Sequence, residues 1–233
     1  PLTYLLIAIF FTRFIADRNP PDSSGMILYI STASLAFVNR MDTVLLFAVP
    51  VVRLIYLGYR VHGRGIWKPL TIGSLPAIVW LFFAVVYYGF PFPNSYYAKL
   101  GLGSAGVVIE QGVNYFLSIL VTDPVTVIVV AAAMIVPVLK RDFHLAAAAA
   151  GLPLTIGYAI LAGGDFMGGR FLSAPVLLAV LILADSVSRS AHVLREPSVP
   201  HKKKKKEPVH SHARGAMITV SVCFVCAVYN VFA

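Results

Sequence analysis

The sequence predicts an all-α fold: a polytopic transmembrane helical bundle with one interfacial amphipathic helix. Hydrophobic residues make up 58% of the 233 residues and the mean hydropathy is +0.81, which is far too apolar for a soluble domain. Apolar stretches of roughly 17 to 25 residues recur along the chain, and this length crosses a hydrocarbon core about 30 Å thick. Lysine and arginine cluster in alternate loops, as in membrane proteins of fixed orientation.

The apolar stretches predict eight membrane spans, several of them short. In chain order they lie at 2–16, 26–39, 43–59, 70–90, 124–139, 144–162, 171–189 and 215–233. Pro91 and Pro93 end the fourth span abruptly, because proline fixes φ and biases the preceding residue towards extended backbone. Ser104 is the expected N-cap of the helix that follows.

That next helix, near 105–121, is expected to lie in the membrane interface. Apolar and polar residues separate onto two sides of it, as in surface-bound amphipathic helices. The apolar side comprises Val108, Ile109, Gly112, Val113, Phe116, Ile119 and Leu120, and the polar side comprises Gln111, Asn114 and Ser118. Such a helix either walls a lateral opening towards lipid or has a purely structural role.

The positive charge indicates how the spans are oriented. If the loop 60–69 is cytoplasmic, only Arg40, Lys99 and Arg170 of the 19 lysines and arginines fall on the other side. The net charge of +9 does not indicate nucleic-acid binding, because no recognition fold accompanies it. The lysine run 202–206 fits a cytoplasmic loop that also attracts anionic lipid. All six histidines then lie on the cytoplasmic side, where we expect solvated or headgroup-level side chains.

Three connections on the outer side carry the polar residues that topology does not explain. The first, 39–42, contains Arg40 and Asp42, whose charges are costly near hydrocarbon unless they are paired or face a wet cavity. They either form a local ion pair or supply a binding group at the rim. The second, 89–99, offers hydrogen-bond donors, aromatic faces and one cation, which suit a sugar or a phosphate. Its tyrosines are also typical of interface anchors.

The third connection, 163–171, is the most informative stretch of the sequence. Four glycines bracket the anion Asp165 and the cation Arg170, and glycine permits positive φ and close backbone approach. Two charges at membrane depth form either a structural clamp or a polar active-site loop.

Two of these stretches resemble a known family. The segment 90–99 and the motif Gly-Gly-Asp165-Phe-Met-Gly-Gly-Arg170-Phe-Leu look like the outer loops of C-superfold membrane glycosyltransferases. They are particularly similar to actinobacterial terminal arabinofuranosyltransferases, which use decaprenyl-phosphoryl arabinose. The hairpin 39–42 also fits this group. The resemblance implies transfer of a sugar, such as arabinofuranose, from a polyprenyl phosphate to a cell-envelope glycan on the extracytoplasmic side of the cell membrane.

The resemblance also implies roles for individual residues. Arg170 would contact the departing phosphate, and Asp165 would bind sugar hydroxyls or orient Arg170. Asp165 is a weaker candidate for general base, because the family's usual base lies upstream. The substrate-binding residues expected with them are Arg40, Asp42, Asn94, Tyr96, Tyr97 and Lys99. A divalent metal is an open alternative, although no ligand cluster in the sequence argues for one.

The whole chain, 1–233, is interpreted as one transmembrane domain, and we expect it to be a fragment. Upstream spans with the family's first outer loop, and a downstream extracytoplasmic domain, are expected beyond its ends. Its expected partners are the polyprenyl-phosphate sugar donor, the glycan acceptor and membrane lipid. The competing function is a transporter or flippase for a lipid-linked or small polar substrate, which predicts charged or broken sites near the mid-bilayer. A non-catalytic membrane scaffold is the third alternative.

Overall fold

The computed structural model describes residues 1–92, 97, 105–164 and 169–195, and at 105, 170 and 191–195 it describes the backbone alone. The described part is all-helical and contains no strand. Three short 3-10 turns, Met41–Thr43, Gly63–Ile66 and Arg170–Leu172, connect some of its helices. The α-helices are α1 (Leu2–Ala16), α2 (Ser23–Asn39), α3 (Val44–His62), α4 (Trp67–Tyr88), α5 (Ala105–Thr122), α6 (Pro124–Leu139), α7 (Phe143–Ala149), α8 (Gly151–Leu161) and α9 (Ser173–Arg195).

Within these residues, three helical stretches are long and apolar enough to cross a membrane. They are Met41–Tyr88, Phe143–Leu161 and Ser173–Ser190, and the bent pair of α5 and α6 makes a fourth if it counts as one span. The predicted stretches at 2–16 and 124–139 coincide with α1 and α6, and the predicted span 144–162 coincides with the stretch Phe143–Leu161, in which α7 and α8 meet at Ala150. The predicted span 215–233 lies outside the described residues.

The stretch Met41–Tyr88 contains two helices that run in opposite directions. Its 48 residues would extend roughly 70 Å as one helix, more than twice a hydrocarbon core. Gly63, at φ +53°, lies in the turn that divides it. Ile66, directly before α4, approaches Gly58 beside Met26, and a Cβ added to Gly73 of α4 would lie 2.6 Å from the Ile30 Cβ. Residue numbers increase in the same direction on α2 and α4 between these two contacts, so the two helices are parallel. α3 runs in the opposite direction.

The exposed side of α4 is apolar along its length. Val79, Phe82 and Val86 are all more than 60% exposed, and aromatic rings mark the two ends, Trp67 at 63% and Tyr87 at 71% exposed. Aromatic side chains concentrate at membrane interfaces. The helix therefore has the surface expected of one that faces lipid.

Aromatic rings of α1 fill the centre of the core. Phe10 packs edge-on against Phe47 of α3 and Tyr29 of α2, with ring centroids 4.9 and 5.2 Å apart. Phe11 and Phe14 are fully buried with them. Edge-to-face pairs of this kind add about 0.5–1.5 kcal/mol each beyond the apolar area that they bury. These contacts hold α1, α2 and α3 together.

Charged residues gather where α1, α6 and α9 end. Arg18, in the α1–α2 connection, forms an ion pair with Asp142, in the α6–α7 connection. Lys140 Nζ donates to the carbonyl oxygen of Ser186 at 2.9 Å. We call this the basic end of the molecule, defined by Arg18, Lys140, Asp142 and Arg189. Since α6 and α9 both finish here, the two helices run in the same direction.

Asp185 is a buried charge that the sequence analysis did not single out. It is 3% exposed, and its Oδ2 accepts a hydrogen bond from Arg189 Nε at 2.5 Å, one helical turn further on. Arg189 Nη2 donates to the Ile15 carbonyl oxygen at 3.1 Å. The i,i+4 spacing of opposite charges was the available signal. The pair joins α9 to the end of α1.

His144 is buried, which corrects the expectation of a solvated histidine. It is 4% exposed and stacks on Phe14, with ring centroids 4.4 Å apart. Arg53 Nε donates to its Nδ1 at 3.3 Å, and its Nε2 lies 2.6 Å from the Phe14 carbonyl oxygen. Because an arginine can only donate, Nδ1 must accept and Nε2 carries the proton. His144 thus joins α7 to α1 and α3.

Asp142 should make stability depend on pH. Burial raises the pKa of its carboxyl, but the Arg18 hydrogen bond and charge and the Leu145 N–H outweigh burial, so the pKa lies below the ordinary 3.8. A lowered folded pKa stabilises the protein above the unfolded value, and this is lost as pH falls through the folded one. We expect Asp142→Asn to lower the melting temperature at pH 7, and we expect the difference from the parent protein to shrink as the pH falls below 3.8 towards the folded pKa.

The control is Asp123→Asn, since Asp123 also caps a helix, through Thr126 N–H, without a cation partner among the described residues. At pH 7, Asp123→Asn should lower the melting temperature less than Asp142→Asn does. An equal gap between Asp142→Asn and the parent at pH 3 and pH 7 would contradict a stabilising ion pair.

Candidate functional site at the distal end

The α2–α3 connection holds the charged pair predicted from the sequence. Arg40 Nε donates to Asp42 Oδ1 at 3.1 Å and Nη2 to Oδ2 at 2.5 Å, so both oxygens of the carboxylate are engaged. Asn39 Nδ2 donates to Thr3 Oγ1 at 2.5 Å, and Thr43 Oγ1 donates to the Arg40 carbonyl oxygen at 2.6 Å. The connection is therefore anchored to the start of α1. We call the end that contains connections 39–43 and 163–172 the distal end.

The Arg40–Asp42 pair is recessed between two taller helices. Gly73 lies beside Ile30, so α4 is level with Asn39 near Phe82 and continues roughly 9 Å further. On the other side, α8 packs along α3, with Gly151 beside Leu46. From Gly151, α8 extends roughly 15 Å towards the distal end. The chain from Leu46 back to Asp42 covers only roughly 7 Å in the same direction, so α8 ends beyond the pair. We call the region between these two helix ends and the pair, as the described residues outline it, the distal recess. Side-chain exposure of 29% for Arg40 and 16% for Asp42 agrees with it.

The glycine motif begins by ending α8. The Gly164 N–H donates to the Ala159 carbonyl oxygen at 2.8 Å and the Gly163 N–H to that of Ile160 at 3.1 Å, which is the Schellman pattern. Gly163 is at φ +78°, as this cap requires, and Gly164 follows at φ +71°. The chain therefore leaves α8 by a defined turn into the segment that carries Asp165.

The far end of the motif is defined as well. Gly169, at φ +75°, precedes the 3-10 turn Arg170–Leu172, and the Leu172 N–H donates to the Gly169 carbonyl oxygen at 2.9 Å. The Phe171 N–H makes a long hydrogen bond, 3.5 Å, to the Tyr115 hydroxyl. Both ends of the segment are thus fixed to the helices, which positions the backbone of Arg170.

Tyr115 of α5 is the residue at this site that the sequence analysis missed. It is 8% exposed, and a Cβ added to Gly164 would lie 2.6 Å from its Cβ. Its ring contacts the Phe171 ring at 6.3 Å between centroids. The signal was the helical spacing of Val108, Gly112, Tyr115 and Ile119, which forms the face that packs on α8 and on the residues around Leu172.

The packing face of α5 differs from the predicted apolar side. Of the residues on that side, Gly112 and Ile119 are buried, whereas Ile109, Val113 and Leu120 are exposed. Hydropathy does not distinguish these positions, because side chains facing lipid are as apolar as side chains packed between helices. α5 thus has one face against α8 and the residues around Leu172 and a second, exposed apolar face.

The bend between α5 and α6 fits an interfacial α5. The axes of the two helices differ by 107° across Asp123. Asp123 Oδ1 accepts from Thr126 N–H, and Pro124 occupies the first turn of α6, where its missing N–H costs nothing. If α6 crosses a membrane, α5 lies close to the membrane plane.

Four of the predicted site residues, Asn94, Tyr96, Lys99 and Asp165, lie outside the described residues, as does the Arg170 side chain. Tyr97 is described, and its ring lies 5.3 Å from the Phe90 ring between centroids. Among the described residues no group of three or more His, Cys, Asp or Glu is placed to hold a metal ion. No protein-family model, curated protein or solved structure matches this chain.

The Arg40–Asp42 pair predicts coupled effects on stability. We expect Arg40→Gln and Asp42→Asn each to lower the melting temperature and the double variant to cost little more than either single one. The expected coupling is about 1 kcal/mol, because each single change leaves the partner's charge in a partly buried setting. A double-mutant cycle of melting curves measures it. Strictly additive losses would contradict a stabilising pair.

Proposed function

We propose that this chain is the membrane domain of a glycosyltransferase that moves a sugar from a polyprenyl phosphate to a hydroxyl of a cell-envelope glycan. In the reaction, the bond from the sugar anomeric carbon to the phosphate oxygen breaks and a bond to the acceptor oxygen forms. The acceptor's proton passes to a carboxylate, and the polyprenyl phosphate leaves as an anion.

One observation carries the proposal. A glycine-framed segment with one carboxylate and one guanidinium is fixed to α8 by a Schellman turn and to α5 by Tyr115, at the distal end where the Arg40–Asp42 pair is recessed. The glycines at both ends allow the left-handed backbone that the two turns require, so the charged segment is held between defined turns. The resemblance of 90–99 and of this motif to arabinofuranosyltransferase loops supports the same reaction.

In this proposal, each residue of the site has a role that follows from its charge or its side-chain shape. Arg170 would bind the phosphate bidentately and stabilise it as it leaves. Asp165 would hold sugar hydroxyls or orient Arg170, and Lys99 would add a second cation. Asn94, Tyr96 and Tyr97 would line the donor pocket, with Arg40 and Asp42 at its floor. The exposed apolar face of α5 would let a lipid-linked donor enter from the membrane.

Orientation follows from the charges. The proposal puts the basic end in the cytoplasm and the distal end outside, with the chain crossing the membrane several times. We expect single cysteines at Asp42, Lys99 and Asp165 to react with a membrane-impermeant maleimide in intact cells, and a cysteine at Lys204 to react only after permeabilisation. Cys223 and Cys226 are first replaced by alanine. Labelling at Lys204 from outside would overturn this orientation.

The test of function is a transfer assay with the full-length protein in nanodiscs. Polyprenyl-phosphoryl arabinose with a labelled sugar is the donor, and a synthetic cell-envelope oligosaccharide is the acceptor. We expect the acceptor to gain one pentose while free polyprenyl phosphate appears in equal amount. Empty nanodiscs are the control. Donor consumption without a new glycosidic bond, or no reaction with any sugar donor, would contradict the proposal.

The transporter alternative predicts a different outcome in sealed vesicles. A flippase would move the donor between leaflets and leave the sugar–phosphate bond intact. A quench assay of a fluorescent polyprenyl-phosphate sugar measures this movement. Translocation without transfer would replace the glycosyltransferase proposal by the transporter.

A further inference from the structure

Exposed cations and aromatic rings surround the turn between α3 and α4. The cations are Arg60, Arg64 and Lys68, and the rings are Tyr59, 54% exposed, and Trp67, 63% exposed. We call these five residues the turn patch. The proposed transfer reaction uses none of them, because they lie at the other end of the helices from the distal recess.

No carboxylate forms an ion pair with the cations of the turn patch in the part of the chain that the structure describes. The sequence has no Asp or Glu between Asp42 and Glu110, so both helices and their turn carry cations alone. Arg60 instead donates from Nε and Nη2 to the Tyr56 hydroxyl, at 3.1 and 2.8 Å, with its guanidinium 5.3 Å from the ring centroid. The three cations therefore have no anionic partner among the described residues and are available to bind an anion.

The turn patch lies level with the other connections of the basic end. His62 Nε2 is 3.2 Å from the carbonyl oxygen of Pro21, in the same α1–α2 connection whose Arg18 pairs with Asp142. Trp67 begins α4, and the exposed apolar side of that helix starts directly beyond it. Rings at this position mark the headgroup level of a bilayer.

We propose that the turn patch binds the phosphate headgroup of an anionic phospholipid. The guanidinium and ammonium groups would bind the phosphate oxygens, while Tyr59 and Trp67 would pack on the glycerol and the upper acyl chains. A soluble phosphate would use the cations but not the rings or the apolar side of α4. The proposal rests on the membrane placement behind the proposed function and not on sugar transfer.

The chain offers a built-in probe, because it has two tryptophans, Trp67 in the patch and Trp80 further along α4. Trp80 Nε1 is buried without a hydrogen-bond partner among the described residues, so Trp80→Phe loses no such bond. The Trp80→Phe variant is placed in nanodiscs that contain brominated phosphatidylglycerol or brominated phosphatidylcholine, and the bromine quenches Trp67 emission when the lipid binds beside it. The dependence of quenching on the fraction of brominated lipid gives a binding constant for each lipid. The ratio of the two binding constants, phosphatidylglycerol over phosphatidylcholine, should be roughly five at Trp67.

The variants separate the turn patch from general charge. Arg60→Gln, Arg64→Gln and Lys68→Gln together should bring the ratio at Trp67 to about one, and Arg64→Gln or Lys68→Gln alone should lower it part way. The matched control removes three lysines of the run, Lys202→Gln, Lys203→Gln and Lys204→Gln, and should leave the ratio unchanged. An equal fall in the control would overturn the proposal.

Two further outcomes would also overturn it. One is a ratio of one in the Trp80→Phe protein with the patch intact. The other is loss of the preference on adding inorganic phosphate at matched ionic strength, which would assign the cations to a soluble anion. The quenching measurement contains neither sugar donor nor acceptor, so its result does not depend on whether the protein transfers sugar. A ratio of one would contradict lipid binding by the turn patch and would say nothing against the proposed transfer reaction.

Discussion

Arg170→Gln is expected to remove most of the transfer activity, with a loss of roughly 100-fold or more. A leaving phosphate needs positive charge, and Arg170 is one of the three cations that the predicted topology leaves on the outer side. Arg170→Lys should keep partial activity, because it retains the charge but loses the planar fork that binds two oxygens at once. Transfer from the polyprenyl-phosphate sugar by the full-length protein measures both, beside a melting curve for each variant.

A structural clamp on Asp165 would give a different result. Arg170→Gln would then mainly lower the melting temperature, and Asp165→Asn would restore it by removing the unpaired charge. Arg141→Gln is the matched control, because it makes the same change at an exposed arginine of the basic end. It should transfer normally. Normal transfer by a well-folded Arg170→Gln protein would rule out the phosphate role.

Gly112→Ala is expected to cause the largest loss of stability of any single methyl addition in α5. The added Cβ would lie 2.1 Å from the carbonyl oxygen of Ile160, so the backbones of α5 and α8 would have to separate. Overpacking of this kind costs about 1–3 kcal/mol, or about 2–4 °C of melting temperature per kcal/mol. Ile160 also lies one turn before Gly164, so transfer activity should fall with stability.

Gly106→Ala is the control for Gly112→Ala. Both glycines lie in α5, but a Cβ at Gly106 meets no atom within 4 Å. Alanine favours a helix by up to about 1 kcal/mol over glycine, so this variant should melt at the same temperature or higher. Similar melting temperatures for the two variants would contradict the backbone contact between α5 and α8.

Helix positions could be predicted from the sequence because they depend on local signals. Apolar length located α1 and α6, and Pro91 and Pro93 marked the end of the apolar run that contains α4. The glycines of 163–169 were predicted to permit positive φ, and Gly163, Gly164 and Gly169 adopt it. The Arg40–Asp42 ion pair was one of two alternatives, and it forms. Its role in binding stays a prediction.

Contacts between distant helices could not be predicted in the same way. His144 was expected at a solvated surface because its neighbours in sequence are charged, yet its position is decided by Phe14 and Arg53. Tyr115 was overlooked because an aromatic residue between apolar ones carries no signal of its own. In both cases the deciding partner lies far along the chain, where periodicity and charge patterns give no information.

The rings at the two ends of α4 should make the protein sensitive to bilayer thickness. Twenty residues separate Trp67 from Tyr87, which is roughly 30 Å of helix, close to the hydrocarbon core of a membrane with 18-carbon chains. Shorter acyl chains would leave apolar surface in water, and α4 would tilt to bury it. Because α4 packs along α2 and walls the distal recess, tilting would change the width of the recess. Activity should therefore peak in lipids of matched length and fall in thinner bilayers.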